Sequence, residues 1–479
     1  MFRRIALLSL TLTILWSVTG PGTFTGADVQ AAVSTPQLTY KTYAGVGFHP
    51  ISSAIEYTIH NSEIYATSST GTAMPFILPL DLPQGAQIYS IDYYVVDNSE
   101  TSNIESMLGT YNPQTDNWSY MASKVTSDAT ISIQDLNYAY SIPKQVDNTT
   151  LFYFLRIDLT DAYIQTITGA RVGYTLPTPP TGAQTLTLGG YAFQPDTRSM
   201  KFAPYGDRIY LTQNASNHAM RAWLNLPIGT QITGLTYYVI DNDPSSFMTL
   251  GIMGAPVNGG LIAPYETYTG GANPNVQMYS VPVPATLSAG FSYSLYVRFD
   301  TASTNLILAG ARLTYTLPTD TAVRITSSFS GINFHPDTSS IGFSSSESLL
   351  FQISADSDMG FSAPLDLPQG AHITQATCYV FDNDSSASHT IHCSLVAYEP
   401  IIAGRSEIYS AYSSSPSASS SIRQMVMIDP THNAPVTVEN GYFQYRIGVY
   451  FNVSTDASVA LVGVVVETGY QTFLPTLRR

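Results

Sequence analysis

The feature that most constrains this chain is an eight-residue segment that occurs twice without change. The segment PLDLPQGA spans residues 79–86 and 364–371, and a diverged version lies between them at residues 224–230. The versions are about 140 residues apart, which is the length of a whole domain rather than of a solenoid repeat. The sequence therefore predicts three copies of one domain, each with a core of its own.

Three further landmarks recur in the same order in every copy. Each copy opens with the pattern Gly-x-x-Phe-x-Pro, which begins at Gly45, Gly190 and Gly331. A predicted central strand then ends in Asp-Asn, and a last strand ends in Leu-Pro-Thr. These landmarks place the predicted domains at residues 38–178, 183–319 and 323–476, after a signal peptide at residues 1–31.

The hydrophobic pattern inside a copy has a period of two. Over residues 88–96, Tyr89, Ile91, Tyr93 and Val95 fall on one face of the chain. Such alternation predicts strands, and no segment has a strong helical period. Many short strands separated by turns are typical of antiparallel sandwiches and jelly rolls. We therefore expect an all-β protein of three tandem antiparallel β-sandwich domains, jelly-roll-like, with the choice between plain sandwich and jelly roll left open.

Two short patterns resemble those of a known kind of protein. The pattern L-P-x-G-A-x-I, followed by Y-V-x-D-N, occurs within residues 82–98 and 367–383. It resembles the tandem β-modules of secreted bacterial proteins of unassigned function, over roughly 30 residues of each copy. The resemblance implies a bacterial, exported protein and supplies no catalytic residues.

The amino end has the three parts of a secretory signal peptide. Arg3 and Arg4 precede an apolar run over residues 5–18, and the small residues Val29 and Ala31 mark a cleavage site. The run is shorter than the roughly 20 residues that a membrane anchor needs. We therefore expect a secreted protein, extracellular or at the cell surface, with no membrane span after signal cleavage. A retained anchor is the alternative.

Composition argues against two classes of protein. Charged residues are 11% of the 479 and hydrophobic residues are 44%, whereas disordered chains combine low hydrophobicity with high charge. The formal net charge of −15 disfavours a basic surface for nucleic acid. We therefore expect a folded protein with no nucleic-acid partner.

The chain has two cysteines, Cys378 and Cys393, which excludes a Cys₄ metal site. They lie on consecutive predicted strands, and a hairpin turning about Ser385 and Ser386 would place them directly opposite each other. Cross-strand neighbours lie about 4.5–5.5 Å apart, within disulfide reach. Because exported proteins meet an oxidising environment, we expect a disulfide. Two buried thiols are the alternative.

An acidic residue followed by Asn ends the predicted central strand of each copy. The pairs are Asp97 with Asn98, Asp241 with Asn242, and Asp382 with Asn383. Asp and Asn side chains commonly hydrogen-bond the backbone of turns, which is the simpler interpretation. The alternative is a Ca²⁺ site, since carboxylate and amide oxygens are ligands that Ca²⁺ prefers, although no EF-hand spacing accompanies them. These six residues are candidate binding residues.

One aromatic position is shared by all three predicted central strands: Tyr94, Tyr238 and Tyr379. Tyr combines a flat apolar face with a hydroxyl, which suits sugars and protein interfaces. These tyrosines are candidate binding residues, with packing on the sheet as the alternative. His49 and His335 also correspond, but Gln194 replaces them in the middle copy. We therefore expect no metal site at these histidines.

The sequence carries no recognisable catalytic motif. Phosphate-loop, Rossmann and G-x-S-x-G patterns are missing. We expect a non-enzymatic protein that acts by structural or multivalent binding interactions, with a cell-surface glycan, a protein or itself as partner. The alternative is glycan binding, or a glycan-active enzyme with its site in one module. A third hypothesis is assembly through unpaired edge strands.

Overall fold

The computed structural model describes most of residues 38–469. The residues outside the description are 1–37, 61–62, 69–72, 114, 116, 176–182, 206–207, 217, 225, 227, 257–262, 285, 289, 318–324, 331–333, 347–348, 353–359, 366, 368–369, 384–389, 401–403, 414–418, 429–434, 441, 453–458 and 470–479. The predicted signal peptide, residues 1–31, lies wholly outside the described residues, so it stays a prediction.

Strands make up most of the described chain. Repeat 1 has β1 (Leu38–Ala44), β2 (His49–Pro50), β3 (Tyr57–His60), β4 (Glu63–Ala66), β5 (Met74–Leu80), β6 (Gln87–Asp97), β7 (Glu105–Asn112), β8 (Asn117–Val125), β9 (Thr130–Gln145), β10 (Phe152–Leu159) and β11 (Gln165–Thr175). Repeat 2 has β12 (Gln184–Gly189), β13 (Gln194–Pro195), β14 (Lys201–Tyr205), β15 (Arg208–Gln213), β16 (Met220–Leu224), β17 (Gln231–Asp241), β18 (Met248–Pro256), β19 (Ala263–Tyr268), β20 (Asn273–Ser280), β21 (Phe291–Phe299) and β22 (Leu306–Thr316). Repeat 3 has β23 (Ile325–Ser330), β24 (His335–Pro336), β25 (Phe343–Ser346), β26 (Leu349–Gln352), β27 (Gly360–Leu365), β28 (His372–Asp382), β29 (Thr390–Glu399), β30 (Gly404–Tyr412), β31 (Ser419–Ile428), β32 (Val436–Thr437), β33 (Gln444–Asn452) and β34 (Val459–Gly469). Short 3₁₀ turns lie at Gly45–Gly47 and Gly190–Ala192.

The strands form six antiparallel sheets, two from each repeat. Sheets 1A, 2A and 3A have the orders β3-β4-β11-β6-β9, β14-β15-β22-β17-β20 and β25-β26-β34-β28-β31; β1, β12 and β23 pair beside β11, β22 and β34, and β32 pairs beside β28. Sheets 1B, 2B and 3B have the orders β2-β5-β10-β7-β8, β13-β16-β21-β18-β19 and β24-β27-β33-β29-β30. The chain crosses repeatedly between the two sheets of a repeat, as in a jelly roll. The all-β, antiparallel, jelly-roll-like prediction is confirmed at this level.

The central strand β6 shows how the alternating pattern becomes a buried face. Ile91, Tyr93 and Val95 point into the core of repeat 1, as the period of two predicts. Ile88, rather than Tyr89, continues this face. The reason is a shift in the pairing register of β6 and β9 between Ile88 and Ser90. A β-bulge inserts one residue and exchanges the faces on either side of it.

Sheets 1B and 2B contain strands that are covered on both faces. In β10, seven of eight residues are buried, and in β18 eight of nine are, so both strand faces are covered. The hydrophobic cluster of repeat 2 includes Ile77, Tyr111, Phe152 and Phe154 from repeat 1. The cluster of repeat 1 likewise includes Tyr398 from repeat 3. The expectation of one self-contained core per copy is therefore incomplete, because neighbouring repeats share side chains.

The three repeats close into a ring. The first strand of each repeat contacts a B-sheet strand of the preceding repeat: β12 with β10, β23 with β21, and β1 with β33. A backbone hydrogen bond between corresponding positions also joins each pair. These bonds run from Ser53 N to Phe202 O (3.1 Å), from Arg198 N to Phe343 O (3.3 Å), and from Ser339 N to Tyr57 O (3.0 Å). Each repeat therefore donates to the next, and repeat 3 donates back to repeat 1.

The repeated glycine of the PLDLPQGA segment has a backbone role. Gly85, Gly229 and Gly370 adopt φ values of 79°, 85° and 76°, in the left-handed region that favours glycine. Each donates its N–H over 2.9 Å to a backbone carbonyl of the same repeat, at Val146, Leu287 and Val438. This turn accounts for the glycine that all three copies keep.

Candidate functional site

Asp97, the first of the recurrent carboxylates, is buried at the end of β6 and is saturated with hydrogen bonds. Its Oδ1 accepts from Ser99 N (3.2 Å) and from Gln165 Nε2 (3.0 Å). Its Oδ2 accepts from Ile104 N (3.2 Å) and from the Thr126 hydroxyl. The carboxylate thus fastens sheet 1A to the start of β7 in sheet 1B, which is structural turn chemistry.

Repeat 2 builds the same turn. Asp241 Oδ1 accepts from Asp243 N (3.2 Å), and Asp241 Oδ2 accepts from the Thr269 hydroxyl. The Thr269 hydroxyl in turn accepts from Met248 N (2.8 Å). In repeat 3 the corresponding hydroxyl, that of Ser413, accepts from Ile391 N (2.8 Å). Repeats 1 and 2 therefore share the bond between hydroxyl and carboxylate, and all three copies share the bond from the backbone N–H to the hydroxyl.

The Ca²⁺ alternative receives no support from this geometry. Asn98 and Asn242 follow the buried carboxylates as the backbone leaves the sheet, and Asn98 N donates to Ile164 O. Asp382 is buried and Asn383 is exposed. Among the described residues, no group of three or more His, Cys, Asp or Glu side chains is placed to hold a metal ion.

Of the three equivalent tyrosines, Tyr238 lies at a boundary between repeats. Tyr94 and Tyr238 are buried, whereas Tyr379 is partly exposed. The Tyr238 ring lies 6.2 Å from the ring of Phe152, which belongs to repeat 1. Burial, and then the nearby Asp92, raise the pKa of Tyr94 above its ordinary value. For Tyr94 and Tyr238 the structure therefore favours packing over an open binding surface.

The predicted hairpin between the cysteine strands is wrong. Cys378 lies on β28 in sheet 3A and Cys393 on β29 in sheet 3B, so the two strands are not paired. Both side chains are buried in the core of repeat 3 as free thiols. Burial, and then a hydrogen bond with Cys393, raise the pKa of Cys378 well above its ordinary value. The hairpin that would have placed the cysteines opposite each other is not formed, and the structure has two buried thiols in place of the expected disulfide.

The two histidines and the glutamine that replaces them lie at the centre of the ring. His49, Gln194 and His335 occupy the two-residue strands that end sheets 1B, 2B and 3B. The ring centroids of His49 and His335 are 4.7 Å apart, and the Trp223 ring lies 4.8 Å from that of His335. Aromatic side chains from three repeats therefore meet at one point, with their rings tilted against each other, which the comparison of single copies does not reveal.

The central histidines are held neutral. Burial lowers the pKa of His49 to about 4. Burial, and then His49, lower the pKa of His335 well below its ordinary value. The buried Nε2 of His335 has no hydrogen-bond partner among the described residues. A proton at this point would place charge in a poorly solvated site.

A cavity of about 310 Å³, which we call the axial cavity, opens beside the central histidines. All three repeats contribute to its wall, and His49 lines it as well. The chemically distinct side chains are Lys41 and Asp81 from repeat 1, Trp223 and Tyr315 from repeat 2, and Asn440 and Gln444 from repeat 3. None of these six was a candidate at the sequence level. Trp223 could have been noticed, because the two other copies hold Pro79 and Pro364 at its position.

The polar side chains of the axial cavity are held in place. Lys41 Nζ donates to Asp81 Oδ1 over 2.6 Å. Burial, and then Asp81, raise the pKa of Tyr315 to about 12, with Lys41 acting in the opposite direction. Asn440 and Gln444 bond backbone groups, since Asn440 Nδ2 donates to Leu367 O and Gln444 Oε1 accepts from Ala44 N. Within the described lining, Asp81 is the one carboxylate.

Comparison with known proteins gives no family. No family model matches the chain, and the search of curated proteins found no match. A solved tandem of the CBM22-1 and CBM22-2 domains from Paenibacillus barcinonensis Xyn10C is 10% identical, covers 60% of this chain and 100% of its own, and has a TM-score of 0.24. A triple jelly-roll protein of an archaeal virus turret is 10% identical, covers 90% and 91%, and has a TM-score of 0.22. A Sulfolobus Turreted Icosahedral Virus structure is 10% identical, covers 92% and 94%, and has a TM-score of 0.21. Scores this low carry no argument about this chain.

No described helix is long and apolar enough to cross a membrane.

Proposed function

We propose that this chain is an exported, non-enzymatic protein of the cell surface, whose three-repeat ring acts as a structural unit and associates with further copies of itself. The observation that supports the proposal is the difference between the inner and outer edges of the sheets. At the inner side, Thr58 bridges Thr338 of repeat 3, and Ile59 N donates to Asp337 O over 2.6 Å. The inner edges are therefore covered by the neighbouring repeats.

The outer edges carry exposed apolar side chains. Each sheet ends in a strand with no further described partner: β9, β8, β20, β19, β31 and β30. In repeat 1, Trp118 on β8 is 51% exposed, and Ile131 and Ile142 on β9 are 80% and 75% exposed. The other repeats expose Tyr268, Met278, Tyr412 and Val426 on the corresponding strands. Unpaired strand edges with apolar side chains are templates for association with another chain.

Electron microscopy and light scattering of the mature protein test the proposal. We expect assemblies larger than one chain, and the double variant Ile131→Lys, Ile142→Lys should shift them towards monomers. Thr304→Lys, in the exposed turn between β21 and β22, is the control and should assemble normally. Monodisperse monomers of the unmodified protein at all concentrations would refute self-association.

Export has a separate test. Mass spectrometry of the protein from the culture medium or cell surface should find Ala32 as the first residue, since cleavage is expected after Ala31. Protein confined to the cytoplasm with residues 1–31 attached would refute export while leaving the assembly result untouched.

A glycan-active enzyme is the alternative from the sequence. Most glycoside hydrolases use a pair of carboxylates, whereas the described lining of the axial cavity offers Asp81 alone, already paired with Lys41. Incubation of the mature protein with insoluble and soluble polysaccharides should release no reducing ends. Release of reducing ends that survives repurification would overturn the non-enzymatic proposal.

A further inference from the structure

The axial cavity has the size of a small-molecule site. Its volume of about 310 Å³ lies at the lower end of the range of roughly 300–1,000 Å³ for such sites. It is formed by side chains from all three repeats, so it exists only when the ring is closed. An occupant of one or two sugar rings suits this volume.

The charges of the wall favour a neutral occupant. Lys41 and Asp81 neutralise each other across 2.6 Å, with their side chains 14% and 37% exposed. His49, which also lines the cavity, has a pKa lowered to about 4 by burial and is uncharged at neutral pH. A charged ligand would enter without a free counter-charge in the described wall, and desolvating it would be unfavourable.

The remaining side chains favour a ligand that has both a flat apolar face and polar groups at its rim. Trp223 and Tyr315 supply aromatic surface, and Tyr315 adds a hydroxyl. Asn440 and Gln444 bring amide groups to the same wall. A purely apolar ligand would cover the Lys41–Asp81 pair and the amides without bonding them, at a cost in free energy. Sugars combine apolar C–H faces with hydroxyls at their rims, and this combination matches the wall.

We propose that the axial cavity is a binding site for a neutral saccharide of one or two rings. The site goes beyond the structural role proposed above, because it faces the ring axis, whereas self-association uses the outer strand edges. It also differs from the expectation of a glycan site within one module, since Lys41, Trp223 and Asn440 come from three different repeats.

Fluorescence provides a direct test. Trp118 and Trp223 are the tryptophans of the chain after residue 31, so the variant Trp118→Phe leaves Trp223 as the single reporter. The probes are glucose, galactose, N-acetylglucosamine, cellobiose and diacetylchitobiose, with glucuronic acid and glucosamine as charged comparisons. We expect saturable change of the Trp223 emission with at least one neutral sugar and weaker or no change with the charged ones. No saturable response to any neutral sugar, or preference for a charged sugar, would overturn the proposal.

Two variants tie binding to the cavity, with calorimetry as the readout. Trp223→Leu should weaken binding of the best sugar at least tenfold, because it removes the stacking surface. Since Trp223 also contacts His335 and its loss can disturb the ring, Tyr315→Phe serves as the conservative second variant. It removes one hydroxyl and should weaken binding severalfold with unchanged circular dichroism. Trp118→Ala, on the exposed strand β8, is the matched control and should bind normally. Binding that survives both cavity variants, or is lost in Trp118→Ala, would refute the assignment.

Discussion

The joint between repeats 1 and 2 and the joint between repeats 3 and 1 share one polar contact. In the first joint, the Thr187 hydroxyl donates to the backbone carbonyl of Asn148. In the second, the Thr42 hydroxyl donates to the backbone carbonyl of Asn440. Thr42 and Thr187 correspond in the repeats, so the backbone arrangement of both joints is the same.

The two joints differ in what fills them. Phe152 of the first joint packs against Gly310, where a Cβ atom would come within 2.6 Å of the Phe152 ring, and contacts Tyr238. Gln444, at the corresponding place of the second joint, accepts a hydrogen bond from Ala44 N. The same backbone arrangement therefore encloses the aromatic side chain of Phe152 in the first joint and the amide of Gln444 in the second. The two joints therefore share one bond from a hydroxyl to a carbonyl and differ in the side chain that fills them.

The largest expected effect follows from truncating the apolar joint. Phe152→Ala should destabilise the protein by about 3–5 kcal/mol, because Phe152 is buried and its removal leaves a cavity between repeats. Urea unfolding followed by circular dichroism measures the change. Ile131→Ala, at an exposed position on β9, is the control and should cost less than about 0.5 kcal/mol. Equal effects of the two variants would show that the joint adds nothing to stability.

Acid should act on the second joint, where His49 of repeat 1 meets His335 of repeat 3. A histidine has a pKa of about 6.5 in the unfolded chain, and folding lowers that of His49 to about 4. The contribution of His49 to stability is therefore fully present well above pH 6.5 and falls as the pH drops through 6.5 towards 4, by roughly 2–3 kcal/mol.

The variant His49→Gln isolates this contribution, since Gln194 is the natural residue at that position in repeat 2. Urea midpoints of the variant should depend less on pH between 6.5 and 4 than those of the unmodified protein. Identical pH profiles would contradict the assignment of the acid response to His49.

Removing the Gln444 amide should lower the stability of the protein less than removing the Phe152 side chain. Gln444→Ala leaves the buried Ala44 N–H without its acceptor, which costs about 1–3 kcal/mol. Its effect on the urea midpoint should be smaller than that of Phe152→Ala. If Gln444→Ala proves the more damaging, the order of strength that we assign to the two joints is wrong.

Removing the hydroxyl contact that both joints share should have the smallest effect on stability, and the same effect in each joint. Thr187→Val and Thr42→Val each remove one hydroxyl that donates to a carbonyl, and each should cost about 1 kcal/mol. The urea midpoints of the two variants should agree within error. Clearly unequal values would mean that the joints differ in their backbone arrangement as well as in their filling.

Sequence reasoning reached the strand architecture because that information is local. The alternation of Ile91, Tyr93 and Val95 predicted the buried face of β6, and the glycine of each PLDLPQGA turn marked a left-handed residue. The bulge at Tyr89 was missed, because a bulge depends on the partner strands. The Cys378 and Cys393 hairpin failed because adjacency in sequence does not show which sheet a strand joins.

The joints left one signal in the sequence, whereas the axial cavity lay beyond such reasoning. The run Phe152–Leu159 reads FYFLRIDL, and its first four residues are apolar in succession, which indicates a strand segment buried on both faces. That signal was available and would have predicted contact between repeats. The meeting of Lys41, Trp223 and Asn440 was not available, because it depends on how three repeats are oriented around one axis.

The ring of equivalent backbone bonds has an evolutionary consequence. A single ancestral repeat would have had one unpaired backbone N–H at one boundary and one unpaired carbonyl at the other. Three identical molecules around a threefold axis could have paired each N–H with the carbonyl of the next molecule. The present chain is then the covalent counterpart of a homotrimer. Identical subunits must change all three positions together, whereas a fused chain can hold Phe152 in one boundary and Gln444 in another.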